Sequence, residues 1–295
     1  MPAKHQPLLV VDTPSMLYRA FFALPKSIRG ELPGRKGRKS VNALLGSANL
    51  ILREVELHDP RAVALCFGPD AADYRTDAYP DYHAARPPMP AELVDQWDDS
   101  HEFFRSFGWT VAVSDDLEAD DLMGTLAQKE EKAGGLALLM TGDRDMYQCA
   151  TKAVKVLYVK TGSQGAEQVD PAEVKRRYGI RPELVPDFIA LRGDPSDGLP
   201  GAKGVGEKTA AELLRKHKSL EGVLDNAFRE KRPALRTSLT GSRDELLTFK
   251  DIATLRPAKA GRPRDKRTDW RSAAKAAEER GMNRLAERLR EKARA

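Results

Sequence analysis

Leu136 to Gln148 reads LALLMTGDRDMYQ, and the fold is decided by how this stretch is read. The apolar run Leu136–Met140 is too short for a globular helix and suits a strand buried on both faces. After it the chain turns at Thr141 and Gly142 and presents two carboxylates, Asp143 and Asp145. Similar apolar runs recur at Leu8–Val11, Ala62–Phe67, Thr110–Val113 and Val154–Val159. Between them, Asn42–Val55, Glu92–Phe107 and Asp120–Lys132 carry apolar residues at helical spacing. This alternation predicts an α/β fold with a mostly parallel sheet. Such sheets gather ligands beyond the carboxyl ends of their strands, so Asp12, directly after the first run, is expected to share a cleft with Asp143 and Asp145.

Four acidic sets stand at predicted strand ends or helix starts: Asp12; Glu118, Asp120 and Asp121 in EADD; Asp143 and Asp145 in TGDRD; Asp194 and Asp197 in GDPSDG. Taken singly, each suits a helix cap or a turn, roles that Asp favours. Converging in one cleft they would repel one another unless they held hard divalent cations, which take oxygen ligands. A pair of such ions is suited to phosphodiester hydrolysis.

The runs LLVVD with Arg19, Ala20 and Phe21 following, then GRKSVNALLG, EADDLMGTLA, TGDRDMYQ and ALRGDPSDGLPGAKGVGEKTAAELL, resemble in order and spacing the bacterial 5′ nuclease family. That family comprises the 5′-3′ exonuclease domain of DNA polymerase I and stand-alone flap endonucleases, and the match runs from about Leu8 to Leu220. The resemblance implies a PIN-like nuclease domain with a mostly parallel sheet, joined to a helical helix-hairpin-helix module and cutting branched DNA with Mg²⁺ or Mn²⁺. Asp12, Glu118 and Asp120 match ligands of a first metal, and Asp120, Asp143, Asp145, Asp194 and Asp197 those of a second and its surroundings. Asp121 matches an acidic position near the metals. Asp120, Asp143 and Asp145 are the expected catalytic centre, with Arg86 and His83 at the scissile phosphate.

Two departures bear on this assignment. Where relatives carry Phe-Asp, this chain has Phe67-Gly68, so one first-site carboxylate is missing and its metal is expected to bind more weakly. Asp70 and Asp73 are the nearest replacements, and Gly68→Asp is expected to strengthen the site if the backbone accepts a side chain. Where relatives carry YKANR, this chain has Tyr82, His83, Ala84, Ala85 and Arg86, so His83 replaces the phosphate-contacting Lys.

Arg75, Tyr79, Tyr82 and Arg86 interleave charge with aromatic rings in a polar segment, the composition of an arch that stacks bases and clamps phosphates. GVGEKT at Gly204–Thr209 lacks the adjacent Gly-Lys of a nucleotide-binding P-loop. Read as a glycine hairpin between helices, it offers backbone N–H groups to duplex phosphates, with Lys203, Gly204, Gly206, Lys208 and Thr209 as contacts. The resemblance adds a K⁺ at this hairpin and makes Arg19 a further DNA contact. Trp97, Phe103, Phe104 and Trp109 fit a core, and His5, His58, His101 and His217 show no ligand spacing.

The 295 residues, 41% hydrophobic and 32% charged, fit a globular protein of one large and one small domain. We expect a nuclease domain over 1–180, a helix-hairpin-helix module over 181–255 and a basic linker with C-terminal helices over 256–295. Net charge is +5, and it is unevenly spread: 14 Lys and Arg against 6 Asp and Glu fall after residue 255. A second basic run spans Lys26–Lys39. No apolar stretch suits a membrane span or secretory signal, and two cysteines give no disulfide framework, so a cytoplasmic monomer is expected. The expected partners are branched or nicked DNA, with RNA primer ends as a second class of 5′ end, and no membrane. The helical pair at the end points to a stand-alone protein. A structure-specific DNA-binding protein with weakened catalysis is the rival reading, prompted by Gly68 and His83. An aspartyl phosphatase is disfavoured by Pro14, and an RNA-cleaving PIN enzyme by the hairpin.

Overall fold

A computed structural model describes residues 6–160 and 165–294; His5 lies outside them. Eight strands run β1 Leu8–Asp12, β2 Arg29–Gly30, β3 Lys39–Ser40, β4 Ala62–Phe67, β5 Thr110–Val113, β6 Ala137–Thr141, β7 Val154–Val159 and β8 Ala166–Val169. Among the helices are α1 Thr13–Ala23, α2 Asn42–His58, α3 Asp73–Ala78, α4 Ala91–Arg105 and α5 Ala119–Lys132, all in the α/β part. They are followed by α6 Pro171–Tyr178, α7 Val185–Arg192, α8 Glu207–His217, α9 Leu220–Asp225, α10 Pro233–Gly241 and α11 Arg243–Ala253, and by α12 Trp270–Glu279 and α13 Asn283–Arg294.

The main sheet has the order β5-β4-β1-β6-β7-β8, parallel except for β8 against β7. Strand β1 is central and wholly buried because LLVVD offers apolar side chains to both faces. Leu8 and Val10 join one core with α5 and the helical module; Leu9 and Val11 join a second with α1, α2 and α4. From β1 the chain moves out to β4 and β5 on one side and later to β6 and β7 on the other. The crevice at this switch lies beyond Asp12, where ligands of open α/β sheets collect.

One sequence expectation changes. The Pro- and Gly-rich stretch 256–268, read from composition as a linker, is fastened along α5. Arg256 N–H donates to Asp121 Oδ1 (2.7 Å), Ala258 N–H to Thr125 Oγ1 (2.8 Å), and Arg262 Nε to Glu130 Oε2 (2.8 Å). Buried Arg61 joins the same Glu130 to Asp265. The basic run Lys26–Lys39 stands beside α4, where Lys26 pairs with Glu92, and Arg35 and Lys39 with Asp95, while most of its cations stay exposed.

Candidate active site

Asp12 ends β1 and caps α1, its Oδ1 accepting from Ser15 N–H at 3.0 Å and its Oδ2 from Thr141 Oγ at 2.8 Å. Across the adjacent strand end, Asp143 Oδ1 accepts from Asp145 N–H at 2.8 Å, which folds TGDRD so that both carboxylates face the cleft. Helix α5 starts at the same level, and its first turn brings Asp120 to the cleft beside the capping Glu118. Asp194 and Asp197 come from the loop after α7, where Asp194 Oδ1 accepts from Ser196 N–H at 2.9 Å. Asp12, Glu118, Asp120, Asp143, Asp145, Asp194 and Asp197 line one cleft of about 1420 Å³. Asp121 stands behind it, fully buried.

The electrostatics follow from this crowding. Burial, reinforced by the neighbouring Asp12, Asp143 and Glu118, holds the Asp120 carboxyl well above the usual carboxylate range. Burial does the same to Asp145, with Asp143, Asp197 and Asp194 adding to it. Asp143 is pushed up to about 7 by burial and then by Asp197 and Asp12. Burial also raises Asp12. Groups that resist ionisation for want of a counter-charge suit a site built for cations, and all the donors are hard oxygens. Among the described residues, no three His, Cys, Asp or Glu are grouped to hold an ion as they stand. The donor chemistry fits divalent ions.

Glu118 is committed elsewhere. Its Oε1 accepts from Ala72 N–H at 2.9 Å, its Oε2 from Tyr82 Oη–H at 3.1 Å, and Arg75 Nη1 stands 2.6 Å from Oε2. Arg75 also reaches Asp121 Oδ1 at 3.4 Å and donates from Nε to Ile252 O at 3.0 Å. Both Arg75 and Tyr82 are buried, at 3% and 5% exposure, and Tyr79 packs edge-on to Phe249. This departs from the expectation of an exposed base-stacking arch: Arg75 and Tyr82 line the inner wall of the cleft with their polar groups bonded within the protein, and Tyr79 packs against the helical part. Arg86 remains at the cleft, donating to Asp70 Oδ1 and Asp197 Oδ1, each at 3.1 Å.

His83 occupies the left-handed region at φ 57°, an unusual place for a residue with a β-carbon. Its ring stacks on Tyr82 with centroids 3.8 Å apart, Nδ1 donates to Asp70 O at 2.6 Å, and Nε2 faces Asp197 Oδ1 at 3.1 Å. At 8% exposure it braces Asp70 and Asp197 more than it reaches outward.

Gly68 is explained by space. A β-carbon there would lie 2.8 Å from Ala119 N and Glu118 C, and closer still to Leu117 O. The start of α5 therefore rests on residue 68, and a carboxylate has no room without backbone movement. Of the suggested replacements, Asp70 lines the cleft, whereas Asp73 opens α3 outside it.

The hairpin leaves Lys203, Gly204, Gly206 and Lys208 exposed and Thr209 half-buried, while Val205 plugs the core below. Gly206 caps helix α8 without a side chain to bond its first N–H groups, which are left open. Arg19, on α1, donates to Gly142 O at 3.2 Å and steadies the turn before Asp143. Sequence reasoning missed Tyr18, Arg144 and Arg192, which also line the cleft. Arg192 precedes GDPSDG and bonds Asp194 Oδ2 at 3.0 Å; the helical spacing after Asp12 would have placed Tyr18.

The chain matches the 5′-3′ exonuclease, N-terminal resolvase-like domain over residues 7–179 and the 5′-3′ exonuclease, C-terminal SAM fold over residues 180–265. It belongs to the 5′-3′ exonuclease family. DNA polymerase I of Mycobacterium tuberculosis is 39% identical to this family member over 219 residues, 74% of this chain and 24% of that protein. The chain thus spans about a quarter of the length of such relatives. Its fold is shared with a bacteriophage T5 5′-exonuclease structure holding zinc (TM-score 0.70, 14% identity, 97% of this chain and 99% of that one). It is also shared with the bacteriophage T5 flap endonuclease in complex with DNA and metal ions (TM-score 0.69, 15% identity, 98% and 100%).

Proposed function

We propose that this exonuclease-family chain is a structure-specific 5′ nuclease that hydrolyses phosphodiesters at 5′ flaps and recessed 5′ ends of DNA with divalent metal ions. The observation carrying this reading is the convergence of Asp12, Asp120, Asp143, Asp145, Asp194 and Asp197, from separate segments, in one cleft at the sheet's switch point. Mg²⁺ or Mn²⁺ bound there would supply Lewis-acid activation of water and charge for the departing oxygen. The protein's own part is positional. Asp120, Asp143 and Asp145 hold the ions, and Asp194 and Asp197 complete the side nearer the helical module. Arg86 and Arg192 offer guanidinium donors to the substrate phosphates, and the Gly204–Thr209 hairpin grips the duplex backbone through open N–H groups, a place for K⁺ as well. The zinc-bound and DNA-bound T5 structures support the metal and DNA parts of the reading.

A second reading, a DNA-binding protein of the same fold with weakened catalysis, is favoured by two facts: Glu118 is held by Arg75 and Tyr82, and Gly68 carries no ligand. A labelled 5′-flap duplex with Mg²⁺, Mn²⁺ or EDTA separates the two. Metal-dependent cleavage, lost in Asp145→Ala while flap binding in EDTA persists, supports the nuclease. Binding without cleavage under any metal condition would give the second reading its case.

A further inference from the structure

We propose that the groove between α12 and α13 is an accessory phosphate-backbone site, binding duplex DNA that extends past the catalytic cleft. The proposal rests on the nuclease reading for its ligand and on the C-terminal helices for its geometry. Residues 266–295 fall beyond both matched domains, yet α12 and α13 are firmly part of the protein. Ala273, Ala277, Leu285 and Leu289 are buried in the second core, and Arg280 is buried against Asp99 of α4.

Away from that core the two helices enclose a groove of about 540 Å³. Arg271 and Lys275 stand one turn apart on α12, and Arg290 and Arg294 one turn apart on α13, so two pairs of cations face across it. Ala274 lines it as a small apolar residue, and Glu278, paired with Arg290, is its acidic group. Two other cations of α13 have partners on α2: Lys292 pairs with Glu56 and Arg288 donates to Asn49. The groove cations mostly stay outward, with Lys275 79% exposed and only loosely set against Glu279 at 3.8 Å.

Four cations against one carboxylate suit a polyanion. No large apolar side chain lines the groove to anchor a protein partner. The position sets what kind of DNA reaches it. Asp269 N–H bonds Phe107 O just before β5 begins, so α12 starts at the amino ends of the strands, opposite the carboxylates. A duplex must run beyond the cleft to meet it.

The test is the triple variant Arg271→Glu, Lys275→Glu, Arg294→Glu in the full chain. Its control is a variant with the same charge change at exposed positions elsewhere, Arg53→Glu, Lys132→Glu, Lys152→Glu. Affinity is measured against salt for a short flap duplex and for one with long arms, alongside cleavage of the short substrate. We expect the groove variant to bind the long duplex at least tenfold more weakly at low salt. Its log–log salt slope should be shallower by about 2 to 3, near one unit per lost phosphate contact. Short-substrate binding and cleavage should match those of the wild type. An unchanged slope on the long duplex, or an equal loss in the control variant, overturns the groove. Failure of the wild type to bind or cut either substrate overturns the nuclease reading instead.

Discussion

Replacing Arg75 with Met removes a guanidinium that is 3% exposed and lies 2.6 Å from Glu118 and 3.4 Å from Asp121. Two buried carboxylates then lose their cation, although Glu118 keeps its bonds from Ala72 and Tyr82, and Asp121 its bond from Arg256. Breaking a buried ion pair by deleting one partner costs about 3 to 5 kcal/mol. The surviving hydrogen bonds place this case near the lower end, and the Met side chain fills most of the vacated volume. Denaturant unfolding in EDTA, with ΔG taken from the midpoint and slope, should show Arg75→Met about 3 kcal/mol less stable than the wild type. Glu118→Gln in the Arg75→Met background should recover a good part of that loss, because the uncompensated charge goes while the amide oxygen can still accept from Ala72 N–H and the amide NH2 can donate to the Tyr82 hydroxyl oxygen. A loss below about 1 kcal/mol, or a double variant as unstable as the two single losses added, would refute the argument. So would an Arg75→Met protein of wild-type stability with weakened DNA binding, the outcome expected of an exposed arch residue.

Three further outcomes follow from the site. Asp12, Asp120, Asp143 and Asp145 bind protons more tightly folded than unfolded, so the stability they lend the metal-free protein should be fully present below about pH 4 and fall as pH rises, with Asp143 pushed up to about 7. Saturating Mg²⁺ or Mn²⁺ should flatten that dependence, and thermal melts across pH with and without metal check it. Gly68→Asp should be destabilised by about 1 to 3 kcal/mol through overpacking against residues 117–119 and gain no metal affinity by calorimetry; Gly68→Ala should lose a comparable amount. Lys203→Ala with Lys208→Ala should weaken duplex binding alike for all sequences and make the salt slope shallower by about 2, as measured by anisotropy titration.

Much of this protein was legible in its sequence because parallel strands buried on both faces must be short apolar runs. Leu8–Val11, Ala62–Phe67 and Leu136–Met140 lie in β1, β4 and β6 except for Leu136, which stands one residue outside. The convergence of Asp12, Asp143 and Asp145 followed from the same topology, since parallel strands deliver their carboxyl ends to one edge. The small elements were not legible. The β2–β3 ribbon pairs only two residues on each side, and β8 is the one antiparallel strand of the main sheet. Neither leaves a periodic signal.

Tertiary structure alone decided the direction of side chains whose chemistry allows either role. RTDAYPDY has the composition of an exposed nucleic-acid arm, yet Arg75 and Tyr82 turn inward because Glu118 and Asp121 arrive from a segment 36 to 46 residues away. Position 68 reads as a lost ligand in sequence and as a contact surface in space, since only the packing of residues 117–119 shows that a side chain has no room there. The stretch 256–268 likewise looks like solvent-loving linker until Arg61, Glu130 and Arg262 meet. Local composition sets what a residue can bond, whereas its burial and its partner depend on contacts distant in sequence. Those contacts exist only once the chain has folded.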